Sequence, residues 1–205
     1  GNTEVKTDEI QPLIAQQVGQ AFNLRTIDPT AEAIARLYEK KGFFAQADIA
    51  PLPESPNTLN VRIIERAVND IVITGLTRTR PSVIRKLMKT KPGTAFNENR
   101  WATDRRRIDS TQWFESVEAS SRPTGEIGKF DLLLDVKEAR TGLFQFGVAL
   151  DPRSRLAGSV RFSDSNFRGM GQSLGLELRQ DAYGSGLSAS VDYINPYMDS
   201  RDTSM

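Results

Sequence analysis

Residues 172–180 read QSLGLELRQ; Leu174, Leu176 and Leu178 take every second place, and Ser173, Gly175, Glu177 and Arg179 fill the others. A period of two puts the leucines on one face of a strand and the small and charged residues on the other. The stretch therefore reads as part of a sheet whose two faces meet different surroundings. Three more segments repeat the pattern. LFQFGVALD gathers Phe144, Phe146, Val148 and Leu150. LAGSVRFSD sets Leu156, Gly158, Val160 and Phe162 against Ala157, Ser159, Arg161 and Ser163. LSASVDYIN sets Leu187, Ala189, Val191 and Tyr193 against Ser188, Ser190 and Asp192. Each segment runs close to nine residues, near the roughly 9–11 that a tilted strand needs to cross a bilayer. Pro152 and Pro196 fall outside them, where they remove no ladder hydrogen bond. The alternation fits two arrangements equally: a sheet packed on the rest of the protein, and a wall with acyl chains on one side and water on the other.

The first 140 residues have a different texture, built twice. Residues 7–22 place Ile10, Leu13, Ile14, Val18, Ala21 and Phe22 on one helical face, with Pro12 near the first turn. A second helix is expected from an Asp28 N-cap and Pro29 at N1, through the stripe Ile34, Leu37 and Tyr38, to Lys40, Lys41 and a terminating Gly42. Strands near 44–50 and 58–66 follow, separated by PLPESPN. The order then recurs. DIVITGL (70–76) reads as a strand, and PSVIRKLMK (81–89) as a helix with Val83, Ile84, Leu87 and Met88 inward. Asn97 caps a third helix whose Phe96 and Trp101 hold the N′ and N4 places of a hydrophobic staple. Strands near 115–121 and 130–138 close the unit. YEKKGFFAQADI falls over IDSTQWFESVEA at an offset near 70 residues, so two copies of one small α/β module are expected, the first without an opening strand.

The chain has no cysteine and no histidine, which excludes thiol nucleophiles, Cys/His zinc sites and histidine bases. Its net charge of +1 gives no argument for nucleic acid. It opens at Gly1 without a methionine or signal pattern, as a processed form would. Asp104, Asp109, Glu115 and Glu118 have no convergent nucleophile and read as solvated surface. Residues 78–107 hold ten Lys and Arg, which read as a solvated helical face; were that face to act, anionic head groups would suit it better than nucleic acid. Gly169, Gly171 and Gly175 open a strand rather than a helix, so they are turn glycines and not a dinucleotide loop.

LTRTRPSVIRKLMKTKPGTAFNENRWATDRRRIDSTQWFESVEAS (76–120) resembles a POTRA domain in its Pro-started helix, its KPG turn and the aromatic before Val117. The helix-to-strand ending STQWF departs from the Thr-Gly-Phe style of that family. FSDSNFRGMGQSLGLEL with YINPYMDSR resembles the first barrel strands of the BamA-like outer-membrane assembly factors (bacterial surface antigens), in its N-F-x-G-x-G turn and x-P-Y strand end. The resemblance implies an α+β fold of POTRA modules (β-α-α-β-β) followed by antiparallel strands of a truncated transmembrane β-barrel. The expected boundaries are 1–66 for a partial module, 67–140 for a complete one and 141–205 for four barrel strands.

It implies an outer-membrane location with periplasmic modules, no catalysis, and no cofactor. The expected partners are unfolded outer-membrane proteins, accessory proteins and lipid, with no nucleic acid. Strand edges would receive clients by β-augmentation, the candidate being Glu115, Ser116, Val117, Glu118, Ala119 and Ser120, and the first barrel strand would template insertion. The candidate lipid-facing residues are Phe144, Phe146, Val148, Leu150, Val160, Phe162, Leu174, Leu176, Leu178, Val191 and Tyr193. Four strands cannot close a barrel, so 141–205 should drive self-association. A two-partner secretion transporter and a soluble interaction module are the alternatives.

Overall fold

The structure, a computed structural model, describes residues 1–19, 23–150, 156–180 and 186–197. The first helix, α1 (Thr7–Ala15), ends earlier than the sequence pattern predicts. Gln17 and Val18 donate to Ile14 and Ala15 in tightened turns, and Gly19 takes φ +79°, so the helix closes there. Val18 is consequently 78% exposed; Ala21 and Phe22 lie outside the described residues. Helix α2 (Leu24–Lys40) begins before the expected Asp28 cap. Asn23 is the cap, its Oδ1 accepting from Arg25 N at 3.0 Å. The reason lies in the buried stripe, which starts about two turns earlier than the sequence reading placed it, at Ile27, and continues through Ile34 and Tyr38. Asp28 and Pro29 therefore sit inside the helix.

Strands β1 (Ala45–Leu52) and β2 (Ser55–Glu65) pair antiparallel. Then come β3 (Ala67–Thr74), α3 (Pro81–Leu87), α4 (Glu98–Ser110), β4 (Phe114–Pro123) and β5 (Lys129–Glu138), a β-α-α-β-β order with the sheet arranged β3-β5-β4. Finally β6 (Gly142–Leu150), β7 (Leu156–Phe167), β8 (Gln172–Gln180) and β9 (Leu187–Ile194) form one antiparallel sheet in chain order. The fold is thus α+β with an open antiparallel sheet, and its last four strands coincide with the four alternating segments.

Two compact units are present. One comprises Gly1–Val72, Met88–Arg106 and Ala119–Leu134; the other Ile73–Leu87, Arg107–Glu118 and Asp135 onward. In the first, Val5, Ile10, Ile27, Ile34, Tyr38, Ile49 and Ile63 make a core under α1 and α2. Burying side chains of this size stabilises by about 1.5–3 kcal/mol each. The C-terminal turn of α2 joins the start of α4 in the same unit. Asn97 Oδ1 caps α4 through Arg100 N at 3.0 Å, while its Nδ2 donates to Lys41 O at 3.0 Å, and Glu98 N donates to Gly42 O at 2.8 Å. Gly42 suits the position because φ there is +80°, a left-handed conformation that a residue with a Cβ adopts only under strain. Phe96 packs on Phe130 at 5.2 Å, and Arg66 lies over the same ring.

Asp104 corrects the sequence reading. It is fully buried rather than solvated, and it accepts from Lys89 N, Thr90 N and Thr90 Oγ1 at 2.9, 2.8 and 2.6 Å, fixing the turn that follows α3. In the STQWF turn Gln112 adopts φ +58°, the left-handed region that favours glycine. Trp101 is 7% exposed, as a core residue should be.

Candidate functional sites: a strand edge, an apolar sheet face and a seated turn

The order β3-β5-β4 leaves β4 at an edge of its sheet, and residues 115–120 run along it. Val117 and Ala119 turn inward and are half-buried, while Glu115, Ser116, Glu118 and Ser120 are exposed. Phe114 is buried as well, so the alternation slips by one place at the start of the strand. Glu115 Oε2 meets Lys137 Nζ at 2.6 Å, and that hydrogen bond raises the Lys137 pKa. The two exposed glutamates limit which strands can add here.

Register brings most of the candidate lipid-facing residues into rows. Phe144, Phe162, Leu176 and Val191 are successive cross-strand partners; so are Phe146, Val160, Leu178 and Ala189, and Leu174 pairs with Tyr193. Phe146 and Val148 are each 77% exposed, and Phe144, Val160, Leu176, Leu178, Val191 and Tyr193 are exposed too. Phe162 and Leu174 are half-buried. Leu150 pairs with Leu156, but its side chain lies outside the described residues. The other face carries rows of opposite character: Gln145–Arg161–Glu177–Ser190 and Gly147–Ser159–Arg179–Ser188. Arg161 Nη1 lies 3.9 Å from Glu177 Oε2 across the strands. Leu143 and Ile194 depart from this, both exposed apolar residues on the polar side.

The turn between β7 and β8 seats on the loop before α3, a feature that the alternation does not reveal. Asn166, 3% exposed, donates from Nδ2 to Thr79 Oγ1 at 2.8 Å and accepts at Oδ1 from Gly171 N at 2.9 Å. Its own N–H donates to Asp164 Oδ1 at 3.0 Å, and Thr141 Oγ1 donates to the same oxygen at 2.6 Å. Arg78 Nη2 approaches Asp164 Oδ2 at 3.5 Å. Arg80 N donates to Gly169 O at 2.9 Å, and Trp113 Nε1 to Ser165 O at 3.1 Å. Gly169 and Gly171 do more than turn the chain. A Cβ on Gly169 would fall 1.9 Å from Arg78 O, and one on Gly171 would fall 2.8 Å from the Trp113 ring. The spacing N-F-x-G-x-G was the only sequence signal for this seat.

Glu138, at the end of β5, holds the receiving loop. Its carboxylate accepts from Thr79 N at 2.7 Å, from Arg78 N at 2.8 Å and from Thr77 Oγ1. Partial burial pushes the carboxyl up, but these hydrogen bonds outweigh it and hold the pKa at about 2. The first module repeats the device: Glu65, at the end of β2, accepts from Thr3 N, Glu4 N and Tyr38 Oη at 2.7, 3.0 and 2.8 Å. Burial again opposes and hydrogen bonding again prevails, so its pKa is lowered. Among the described residues no cluster of three or more His, Cys, Asp or Glu could hold a metal ion, and no helix is long and apolar enough to cross a membrane.

The family model for POTRA, "Surface antigen variable number repeat", matches residues 1–66 and 67–139. The outer membrane protein assembly factor BamA of Neisseria meningitidis is 23% identical over 210 residues, covering 98% of this chain and 26% of that protein. BamA from Haemophilus ducreyi lacking POTRA domains 1–3 superposes with a TM-score of 0.62 at 24% identity, over 97% of this chain and 38% of its own. CdiB from Escherichia coli superposes with a TM-score of 0.69 at 15% identity, over 93% and 37%. At such identities the structural likeness speaks for the fold. The chain spans between 17% and 29% of the length of curated relatives it matches.

Proposed function

Because the chain belongs to the surface-antigen POTRA family of BamA-like outer-membrane assembly factors, we propose that it is the part of such a factor that joins periplasmic modules to the bilayer. In this reading residues 1–66 and 67–140 are POTRA modules and 141–205 begin the barrel. The modules take client or accessory strands along the edge of β4, and β6 offers a template edge for insertion. The apolar rows of β6–β9 meet acyl chains and the polar rows meet water.

The observation that carries the reading is the sheet register. It lines up Phe144, Phe162, Leu176 and Val191 across four strands, with Arg161 and Glu177 paired on the reverse. Most of the apolar rows are exposed, with Phe162 and Leu174 half-buried, as a face meant for a second apolar medium would be. A two-partner transporter is the second reading, supported by the fold shared with CdiB.

The edge is tested by proline. Successive N–H groups of a strand point to opposite sides, so Ser116→Pro and Val117→Pro split the two functions of β4. One should abolish crosslinking of an unfolded outer-membrane protein to the modules while leaving them folded. The other should damage the pairing with β5. Undiminished crosslinking in both folded variants would remove β4 as the receiving edge.

A further inference from the structure

One end of the β6–β9 sheet carries cations to which the reading above gives no task. The register sets the start of β6, the end of β7, the start of β8 and the end of β9 at that same end. Arg140 lies two residues before the start of β6, and Arg168 sits in the turn between β7 and β8. Arg78 and Arg80 flank Thr79 on the loop that holds this turn. Lys86, on α3, places its ammonium 4.9 Å over the ring of Tyr197, which follows β9. All five cations are exposed.

The carboxylates nearby are already engaged. Glu138 is taken up by the loop itself, and Asp164 is buried among Thr141, Asn166 and Arg78. Asp192, the next acidic residue along, stands opposite Gly175, farther into the sheet. The apolar face ends here with Tyr193 opposite Leu174. Tyrosine is the residue that membrane–water boundaries favour, since its ring is apolar and its hydroxyl wet.

We propose that Arg78, Arg80, Lys86, Arg140 and Arg168 form a collar that binds the phosphate groups of anionic phospholipids in the leaflet facing the modules. The inference rests on the reading that β6–β9 lie in a bilayer. Guanidinium groups suit the task because their planar donors pair with two phosphate oxygens at once. Their position is also fixed, because the seated turn ties Arg78 and Arg80 to the end of the sheet. The collar would set the depth of the sheet in the membrane.

The test uses the whole chain and two kinds of vesicle: phosphatidylcholine alone, and the same lipid with phosphatidylglycerol. The triple variant Arg80→Gln, Arg140→Gln, Arg168→Gln spares Arg78, whose pairing with Asp164 is structural. Near-UV circular dichroism confirms that the variant keeps its fold. Each basic group near an anionic surface strengthens binding by about fivefold, so the triple variant should lose on the order of 100-fold of the preference for phosphatidylglycerol. Its binding to phosphatidylcholine should be unchanged, and the wild-type preference should fade with salt. A triple variant that keeps the preference, or a wild type that shows none, overturns the collar and leaves the bilayer reading standing. A wild type that binds neither vesicle, and that Leu176→Arg does not alter, overturns both.

Discussion

At the scale of single residues, the seated turn concentrates consequence in a few atoms. Gly169→Ala adds a Cβ that would lie 1.9 Å from a backbone oxygen, at φ +67°. Neither the oxygen nor the angle can give way cheaply, so a loss of about 2–3 kcal/mol is expected in denaturant unfolding. Gln112→Gly should act in the opposite sense. It relieves a left-handed side-chain residue at φ +58°, and a gain of about 1 kcal/mol in the same measurement is expected; no gain would show that Gln112 is held there without strain. Glu138 supplies an acid-sensitive contribution. Its folded pKa, about 2, lies below the ordinary 4.5, so its stabilisation is complete above the unfolded value and is lost as pH falls from about 4.5 toward 2. Screening at this partly exposed site leaves on the order of 1–2 kcal/mol. Melting temperatures from pH 7 to pH 3 should fall less steeply in Glu138→Gln than in the wild type, and parallel curves would deny the carboxylate this role.

At the scale of elements, the period-two strands were legible, whereas the helical stripe of residues 7–22 overran α1, which ends at Ala15. The four alternating segments became β6–β9 because a period of two has one structural meaning once the turns are glycine-rich. Asn97 was legible as a cap because its side chain acts on its own helix. The start of α2 was not, because Asp28-Pro29 is as good a local start as Asn23 and only the burial of Ile27 chooses between them. Asp104 and Asn166 were illegible for a different reason: both are polar residues buried by partners distant in sequence, Thr90 in one case and Thr79 in the other. No local pattern marks Asp104, and the N-F-x-G-x-G spacing marks Asn166 as part of a turn without showing its burial. The bilayer reading has its own test at this scale. Leu176→Arg puts a charge among the apolar rows, which costs about 2–4 kcal/mol at a bilayer midplane. The substitution should prevent insertion while the chain in water tolerates it; equal damage in both would make Leu176 part of a protein core.

At the scale of the whole molecule, the exposed rows of β6–β9 and the unpaired edges of β6 and β9 are unfavourable in water. Light scattering without detergent should show the full chain associating and a chain ending at Arg140 monomeric. The shortened chain should also be less stable, because it loses the turn that covers Trp113 and Val83. A monodisperse full-length monomer would contradict this. The central claim, that one face of the sheet meets lipid and the other water, can be read residue by residue. The chain contains no cysteine, so single cysteines at positions 174 to 179 can carry an environment-sensitive fluorophore without background labelling. In phospholipid vesicles, labels at 174, 176 and 178 should be quenched by lipid-borne quenchers, and labels at 175, 177 and 179 by aqueous ones. Uniform aqueous quenching along all six positions would contradict the account.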